Sequence, residues 1–132
     1  MVEKRDYCDE CNQRININIQ QAVIDYSLRW SISYLCPFCS TAIESDDIGF
    51  PPGDIRQFIL VEEGEYQLLI KSSELNKVTV VKVLRDALNI SMREAFNILK
   101  LFPQSTVNGT KMEMVYLQKL LESEGIEAEV IK

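Results

Sequence analysis

The 132-residue chain contains no histidine, a single tryptophan and no low-complexity tract. Histidine is the side chain most often used as a general base and as a nitrogen ligand for metal ions. The chain also lacks a P-loop, a G-x-S-x-G elbow and any nucleophile with a base nearby in an obvious pocket context. We therefore expect a protein that is not an enzyme.

Long apolar runs are also missing. No stretch reaches the ~20 apolar residues needed to span a bilayer, and the first six residues are not followed by the apolar run of a signal peptide. Hydrophobic residues nevertheless make up 46% of the chain, enough for a globular core. The sequence predicts a globular cytoplasmic protein without a membrane segment.

Positive charge is scarce in the first half. Residues 1–63 carry five Lys and Arg against eleven Asp and Glu, a net of -6, whereas residues 64–132 carry nine of each. Binding to nucleic acid requires cations that neutralise phosphates, so the first half is a poor candidate for it. An acidic half suits a basic protein partner, although acidity also keeps a small protein soluble.

The four cysteines form two C-x-x-C pairs, Cys8 with Cys11 and Cys36 with Cys39, and 24 residues separate the pairs. Each pair supplies two thiolates from one tight turn. Two such turns brought together by a hairpin give the four tetrahedral sulfur ligands that Zn²⁺ accepts. The pattern resembles a zinc ribbon. It predicts one structural zinc ion, because four protein ligands leave no position for a substrate water.

Other chemistries remain open for the same residues. Cys36-Pro-Phe-Cys39 is similar to a thioredoxin-type redox site, but that motif belongs at the end of a strand that enters a helix, within a βαβ unit. Disulfides are disfavoured in a cytoplasmic chain. An iron–sulfur cluster is the third alternative.

Hydrophobic periodicity divides the chain into three segments. Residues 1–45 form the zinc ribbon, in which two stretches with period-2 alternation, 15–20 and 28–34, predict a hairpin with its turn near residues 25–27. Residues 46–64 form a connector with a short amphipathic helix that starts at Asp54 and ends at Gly64.

Residues 65–132 are expected to follow the order β-α-α-β-α-β. The first strand spans 66–71, and helices begin after Asn76, Ser91 and Thr110, the last two as capping boxes. Phe102-Pro103 ends the second helix.

A short strand at 105–107 is followed by a turn at Asn108-Gly109, and the last strand alternates over 126–131. The fold class is therefore α+β: a β-rich zinc ribbon followed by a three-stranded sheet with helices on one face.

The stretch from Tyr66 to Arg85, continuing through Met92-Arg-Glu-Ala95, Pro103 and Gly109 to Val130, resembles the C-terminal domain of the bacterial ribosomal stalk protein. The likeness covers about half the chain. It implies the β-α-α-β-α-β fold, and in that family the domain recruits translational GTPases through its first two helices.

The resemblance also implies a set of partner-binding residues. The positions carried over are Lys77, Val78, Val81, Lys82, Arg85 and Met92, and Phe96 stands where the family has a lysine. On a helix, Val78, Val81, Lys82 and Arg85 share one face. That face either binds a partner or packs against the rest of this chain.

The chain departs from the family at several positions. Asn89 and Ser91 replace glycines, and a zinc ribbon stands in place of the family's dimerisation domain and hinge. The leading hypothesis is a non-catalytic inhibitor or adaptor of one protein, such as an immunity protein that neutralises a basic toxin. The alternative is a translation-associated protein that docks translational GTPases.

Overall fold

The computed structural model describes residues 2–71, 76–99 and 105–132, and within these ranges it contains seven strands and four helices. The chain divides into two compact units, of which the first ends at Glu63 and the second begins at Gly64. Each unit contains an antiparallel sheet and at least one helix. The expected α+β class is confirmed.

The first unit is a meander in which strands next to each other in sequence are also neighbours in the sheet. Its order is β1-β2-β3-β4, and every neighbouring pair is antiparallel. The elements are β1 (Val2–Tyr7), β2 (Arg14–Ile24), β3 (Ser27–Leu35), β4 (Ala42–Ile48) and α1 (Gly53–Glu63).

The turn between β2 and β3 has two residues, Asp25 and Tyr26, with φ of 48° and 62°. Ile24 pairs with Ser27 across it. Two central residues with positive φ define the type I′ turn, whose twist matches that of the strands it joins.

Both outer strands were absent from the sequence prediction. β4 includes residues 46–48, which the sequence assigned to the connector, so the connector begins later than expected. Every residue of β4 is exposed, and three of its seven residues are acidic. A strand without a buried face has no apolar alternation, so period-2 patterning could not find it. It forms because β3 offers an edge along its whole length.

Alternate residues of the first sheet face α1, and we call this side the helix-side face. Ile59 of α1 is buried there against Val2 and Ile19. The rest of this cluster is partly buried and consists of Ile17, Ile32, Ile55 and Phe58. The opposite side, which we call the outer face, carries the residues of opposite parity, including Asn16, Asn18 and Gln20 of β2.

The second unit has the element order β-α-α-β-α-β. Its central strand β5 pairs antiparallel with β6 on one side and with β7 on the other. The elements are β5 (Tyr66–Ile70), α2 (Lys77–Leu88), α3 (Met92–Leu99), β6 (Ser105–Gly109), α4 (Lys111–Ser123) and β7 (Ala128–Ile131).

Side chains at the helix ends explain where α3 and α4 start. Thr110 and Glu113 form a reciprocal capping box, with bonds of 3.2 Å and 3.0 Å to each other's backbone N–H groups. Ser91 accepts the backbone N–H of Glu94 at 3.1 Å, and its hydroxyl donates to the Glu94 carboxylate. Each cap satisfies a donor that the first helical turn leaves open.

The sequence predicted a turn and a helix stop within the second unit. Asn108-Gly109, expected to be a turn, continues β6, and Gly109 pairs with Tyr66. The stop expected at Phe102-Pro103 lies outside the described residues. Asn89, where the resemblance implies a glycine, adopts the left-handed conformation with φ of 54°, which asparagine tolerates better than most residues.

One core joins the sheet and helices of the second unit. Leu68 and Ile70, alternate residues on one face of β5, are buried together with Leu84 of α2, Leu99 of α3 and Leu117 of α4. Because all three helices contribute to the cluster that covers this face, the apolar stripes of the helices and the sheet are buried against one another.

Candidate metal centre

Two tight turns of the first unit carry the four cysteines and share one backbone geometry. Residues 8–13 form knuckle 1, in which Cys8 N–H donates to the Gln13 carbonyl at 2.9 Å and Asn12 N–H donates to the Cys8 carbonyl at 2.9 Å. Both turns place the residue after their second cysteine in the left-handed region, at Asn12 with φ of 60° in knuckle 1.

Residues 36–41 form knuckle 2 and repeat these bonds at the same spacing. Cys36 N–H donates to the Thr41 carbonyl at 2.8 Å, and Ser40 N–H donates to the Cys36 carbonyl at 3.0 Å. Ser40 has φ of 62°, which is uncommon for serine. The strained residue lets the chain reverse directly after the second cysteine and pass into the next strand.

The meander explains why the knuckles meet. Knuckle 1 joins β1 to β2, and knuckle 2 joins β3 to β4. In a four-strand meander the first and third turns lie at the same end of the sheet, while the turn at Asp25 and Tyr26 lies at the other. The 24 residues between the cysteine pairs are thus one hairpin flanked by the knuckles.

The four sulfurs converge at this end. The Sγ atoms of Cys8 and Cys39 are 3.6 Å apart, those of Cys11 and Cys36 are 3.5 Å apart, and all four lie within 4.8 Å of one another. A tetrahedron of sulfurs at ~2.3 Å from a zinc ion has edges of roughly 3.8 Å. The arrangement therefore fits one four-coordinate ion, and all four cysteines are free thiols rather than disulfides.

The pKa values of Cys8, Cys11 and Cys39 are shifted in different directions. The Thr41 hydroxyl, 3.0 Å from the Cys39 sulfur, is the first cause that lowers the pKa of Cys39 to about 6. A backbone hydrogen bond at Cys11 is the main cause that lowers the pKa of Cys8. A backbone bond at Gln13 favours the Cys11 thiolate, but burial and the other sulfurs raise its pKa to about 12.

Without a cation, then, the cluster retains protons because four negative charges would repel one another at these distances. A divalent ion removes that penalty and allows all four thiolates to form at neutral pH. The four sulfur donors are soft ligands, and together they would fill the four positions of one tetrahedral ion.

Tyr34 of β3 packs beside the cysteine cluster. Its side chain is buried in one cluster with Ile15, Cys8 and Cys36, and its hydroxyl accepts the backbone N–H of Asp9 at 3.4 Å. Burial raises the pKa of Tyr34, so the hydroxyl stays neutral. Tyr34 therefore links knuckle 1 to the third strand.

Sequence reasoning predicted the four cysteines that converge, but not Tyr34 or Thr41 beside them. Tyr34 appeared only as an apolar member of an alternating strand. Thr41 lies two residues after the last cysteine, and the equivalent residue in knuckle 1 is Gln13. A weak signal existed, since a hydroxyl residue at this offset can donate to a thiolate.

The residues expected to bind a partner lie on α2 and α3, and the structure does not expose all of them. Val78, Met92 and Phe96 are 77%, 52% and 40% exposed. Lys82 and Arg85 are exposed and Lys77 is half-buried.

Val81 was expected on the exposed, partner-binding face of α2, but the structure buries it. It is 5% exposed and packs in the core with Val80 and Leu84. The apolar arc of α2 is wider than the sequence analysis assumed, because it includes both consecutive valines.

In the part of the chain that the structure describes, no helix is both long and apolar enough to cross a membrane.

A 70-residue stretch amounting to 52% of this chain is 33% identical to the large ribosomal subunit protein bL12 of Mannheimia succiniciproducens. The matched stretch covers 56% of that protein, so the chain spans about half the length of the curated relative it matches. No family model matches the chain.

Proposed function

We propose that this chain is a non-catalytic, zinc-containing protein-binding module that acts as an inhibitor or adaptor of one specific protein. The observation that carries the zinc assignment is the convergence of four sulfurs within 4.8 Å at one end of the meander. Four thiolates favour zinc among the divalent ions of a cell, and a filled tetrahedron supports a structural role rather than a catalytic one.

Charge and exposed apolar surface support the protein-binding role. The first unit carries a net of -6 before any metal is bound, and four thiolates with one Zn²⁺ would add a further net of -2. In the second unit, Val78, Met92 and Phe96 expose apolar surface, and the cations Lys82 and Arg85 are exposed on α2. Exposed apolar side chains and arginine are common in protein interfaces.

A basic toxin whose active site binds nucleic acid would match the acidic first unit, so an immunity protein is the specific form of this proposal. The test is to express the chain together with the product of a neighbouring toxin gene. We expect cells to survive only with the intact chain, and Cys11→Ser, which removes a metal ligand, should lose protection. Cell death with the intact, zinc-loaded chain would count against this form of the proposal.

The second candidate is docking of translational GTPases through a stalk-like second unit. The observation in its favour is that a 70-residue stretch of the chain is 33% identical to bL12. Lys82 and Arg85 retain exposed cations on α2, while Phe96 makes the surface more apolar than the family's. A more apolar surface suits a longer-lived complex.

Purified elongation factors distinguish the two candidates. If the second is right, the chain binds them in a titration. Lys82→Glu should weaken binding, while Lys119→Glu, which reverses an exposed lysine on α4, should not. Binding that is absent, or that responds equally to both reversals, would exclude docking through α2.

A further inference from the structure

The outer edge of β4 is open, and its hydrogen-bond phase can be read from the turns at its ends. Cys36 N–H donates to Thr41 and Gly49 N–H donates to Leu28, both across the β3–β4 pair. Opposed residues of antiparallel strands alternate between bonded and non-bonded pairs. Ile43, Ser45 and Asp47 therefore bond inward to β3. The residues whose N–H and C=O groups point away from β3 are Ala42, Glu44, Asp46 and Ile48.

A side-chain contact agrees with this phase. The outward N–H of Ile48 donates to the carboxylate of Asp47 at 2.8 Å, so it is not used in the sheet. The opposite edge shows the same device, since Tyr7 N–H donates to Asp6 at 2.8 Å. In each case an aspartate covers the last outward donor of its edge strand. The outward groups of Ala42, Glu44 and Asp46 pair with no other strand in the described residues.

Two shallow cavities flank this edge on the outer face. One, of about 460 Å³, is lined by residues that include Ala22, Arg29, Asp46 and Ile48. The other, of about 530 Å³, is lined by Asn18, Ser33, Leu35, Ala42 and Glu44 among others. In β4, the residues whose backbone groups point away from β3 are the same residues whose side chains lie on the outer face. A strand added at this edge would therefore place every second side chain beside the cavities.

Charge selects the occupant. β4 carries Glu44, Asp46 and Asp47 and no cation, whereas β1, the other edge, carries two cations and two acids. Arg29 is the cation across the sheet from Ile48, and it balances at most one of the three carboxylates. A second copy of the chain at this edge would bring carboxylates against carboxylates, which disfavours self-pairing.

We propose that the open edge of β4 binds an extended, Lys- or Arg-containing segment of a partner protein as a fifth strand. Backbone bonds to Ala42, Glu44 and Asp46 would supply affinity, and cations next to the carboxylates would supply selectivity. The inference rests on the proposed function, because it names the surface and the partner chemistry of a protein-binding module.

The test uses the zinc-loaded full chain and a seven-residue peptide of alternating lysine and valine, capped at both ends. Amide shifts are followed by NMR during titration. We expect the largest changes at the outward amides of Ala42, Glu44 and Asp46 and smaller ones at the inward amides of Ile43 and Ser45. A glutamate–valine peptide and a lysine–valine peptide N-methylated on every amide should not bind.

Two variants test backbone and charge separately. Glu44→Pro removes an N–H that points away from β3 and leaves every hydrogen bond to β3 in place. The protein should therefore fold but no longer bind the peptide. Its matched control is Glu3→Pro, at an outward position of β1, which should bind normally. The double reversal Glu44→Lys, Asp46→Lys should weaken binding about tenfold and needs no proline.

The inference is overturned if the peptide fails to bind at millimolar concentration, if shifts centre on β1 or the knuckles, or if charge reversal leaves affinity unchanged. Concentration-dependent shifts at Asp46 without peptide would indicate that a second copy occupies the edge, which also overturns it. If the wild type and the double reversal recover the same protein partner equally well, the β4 edge is not the binding surface, but the proposed function stands. If the peptide binds but no protein partner is recovered, the proposed function is refuted.

Discussion

Removal of the metal should unfold the first unit and leave the second intact. Structural zinc contributes about 10–16 kcal/mol of apparent free energy in small modules, and a folded domain as a whole is stable by about 5–15 kcal/mol. The buried apolar residues of the first unit fall into small separate clusters around Ile15 and Ile19, whereas the second unit has one continuous core. Loss of the ion therefore removes more free energy than the first unit has in reserve.

The chain contains its own reporter for this experiment. Trp30, the only tryptophan, lies on β3 of the first unit and is half-buried. Addition of chelator should shift its fluorescence to longer wavelength and abolish cooperative melting of that unit. Helical circular dichroism should persist, because three of the four helices in the described residues belong to the second unit.

A variant in the core of the second unit is the matched control for this experiment. Leu84→Ala opens a cavity in the core of the second unit and should cost about 2–5 kcal/mol there. Its melting transition should shift while Trp30 fluorescence and metal content stay unchanged. If chelator removes the metal, as a colorimetric indicator would show, and the emission of Trp30 does not change, the first unit folds without metal and the reasoning is wrong.

Three further predictions follow from the site and the caps. Thr41→Val removes the hydroxyl beside Cys39 and should raise the pKa of that thiol and lower metal affinity about 10-fold or more, whereas Thr41→Ser should retain both; competition with a chelator measures the effect. The stability that the metal contributes should be full at pH 8 and fall as the pH drops, because protons compete with the ion for the thiolates. The pKa of Cys39 is about 6 without metal, so protonation of this thiol adds to the loss of stability near pH 6. Thermal melting followed by Trp30 fluorescence between pH 8 and 5 tests whether stability falls with pH. Thr110→Ala removes the buried cap of α4 and should destabilise the second unit by about 0.5–2 kcal/mol in urea unfolding, with Thr110→Ser close to wild type.

The convergence of the four cysteines could be predicted from sequence because the information that sets it is local. Each C-x-x-C pair closes one turn by itself, and the expected hairpin then brings the turns together. The helix starts at Ser91 and Thr110 were equally local, since a cap involves residues three apart. Such features do not depend on the rest of the fold.

The edge strands could not be found in the same way. Residues 42–48 have apolar side chains only at their ends and no period-2 alternation, and the acidic centre is typical of a loop. Their conformation is set by pairing with β3, a contact of tertiary origin. Strand preference depends on such context more than helix preference does.

Val81 shows a related limit on α2. Its spacing from Val78 and Arg85 placed it on the exposed face, yet it is buried beside Val80. Periodicity gives the direction of an apolar face but not its width, which depends on how many elements pack around the helix. Val78, on the same side, is 77% exposed.

We infer that four thiolates bind one ion and that this ion stabilises the first unit. The experiment is native mass spectrometry of anaerobically purified protein, with elemental analysis of the same sample. We expect one zinc per chain, and each of Cys8→Ser, Cys11→Ser, Cys36→Ser and Cys39→Ser should lose it or bind it far more weakly. A metal-free chain that keeps the native fluorescence of Trp30, or a chain in which the cysteines are joined as disulfides, would contradict it.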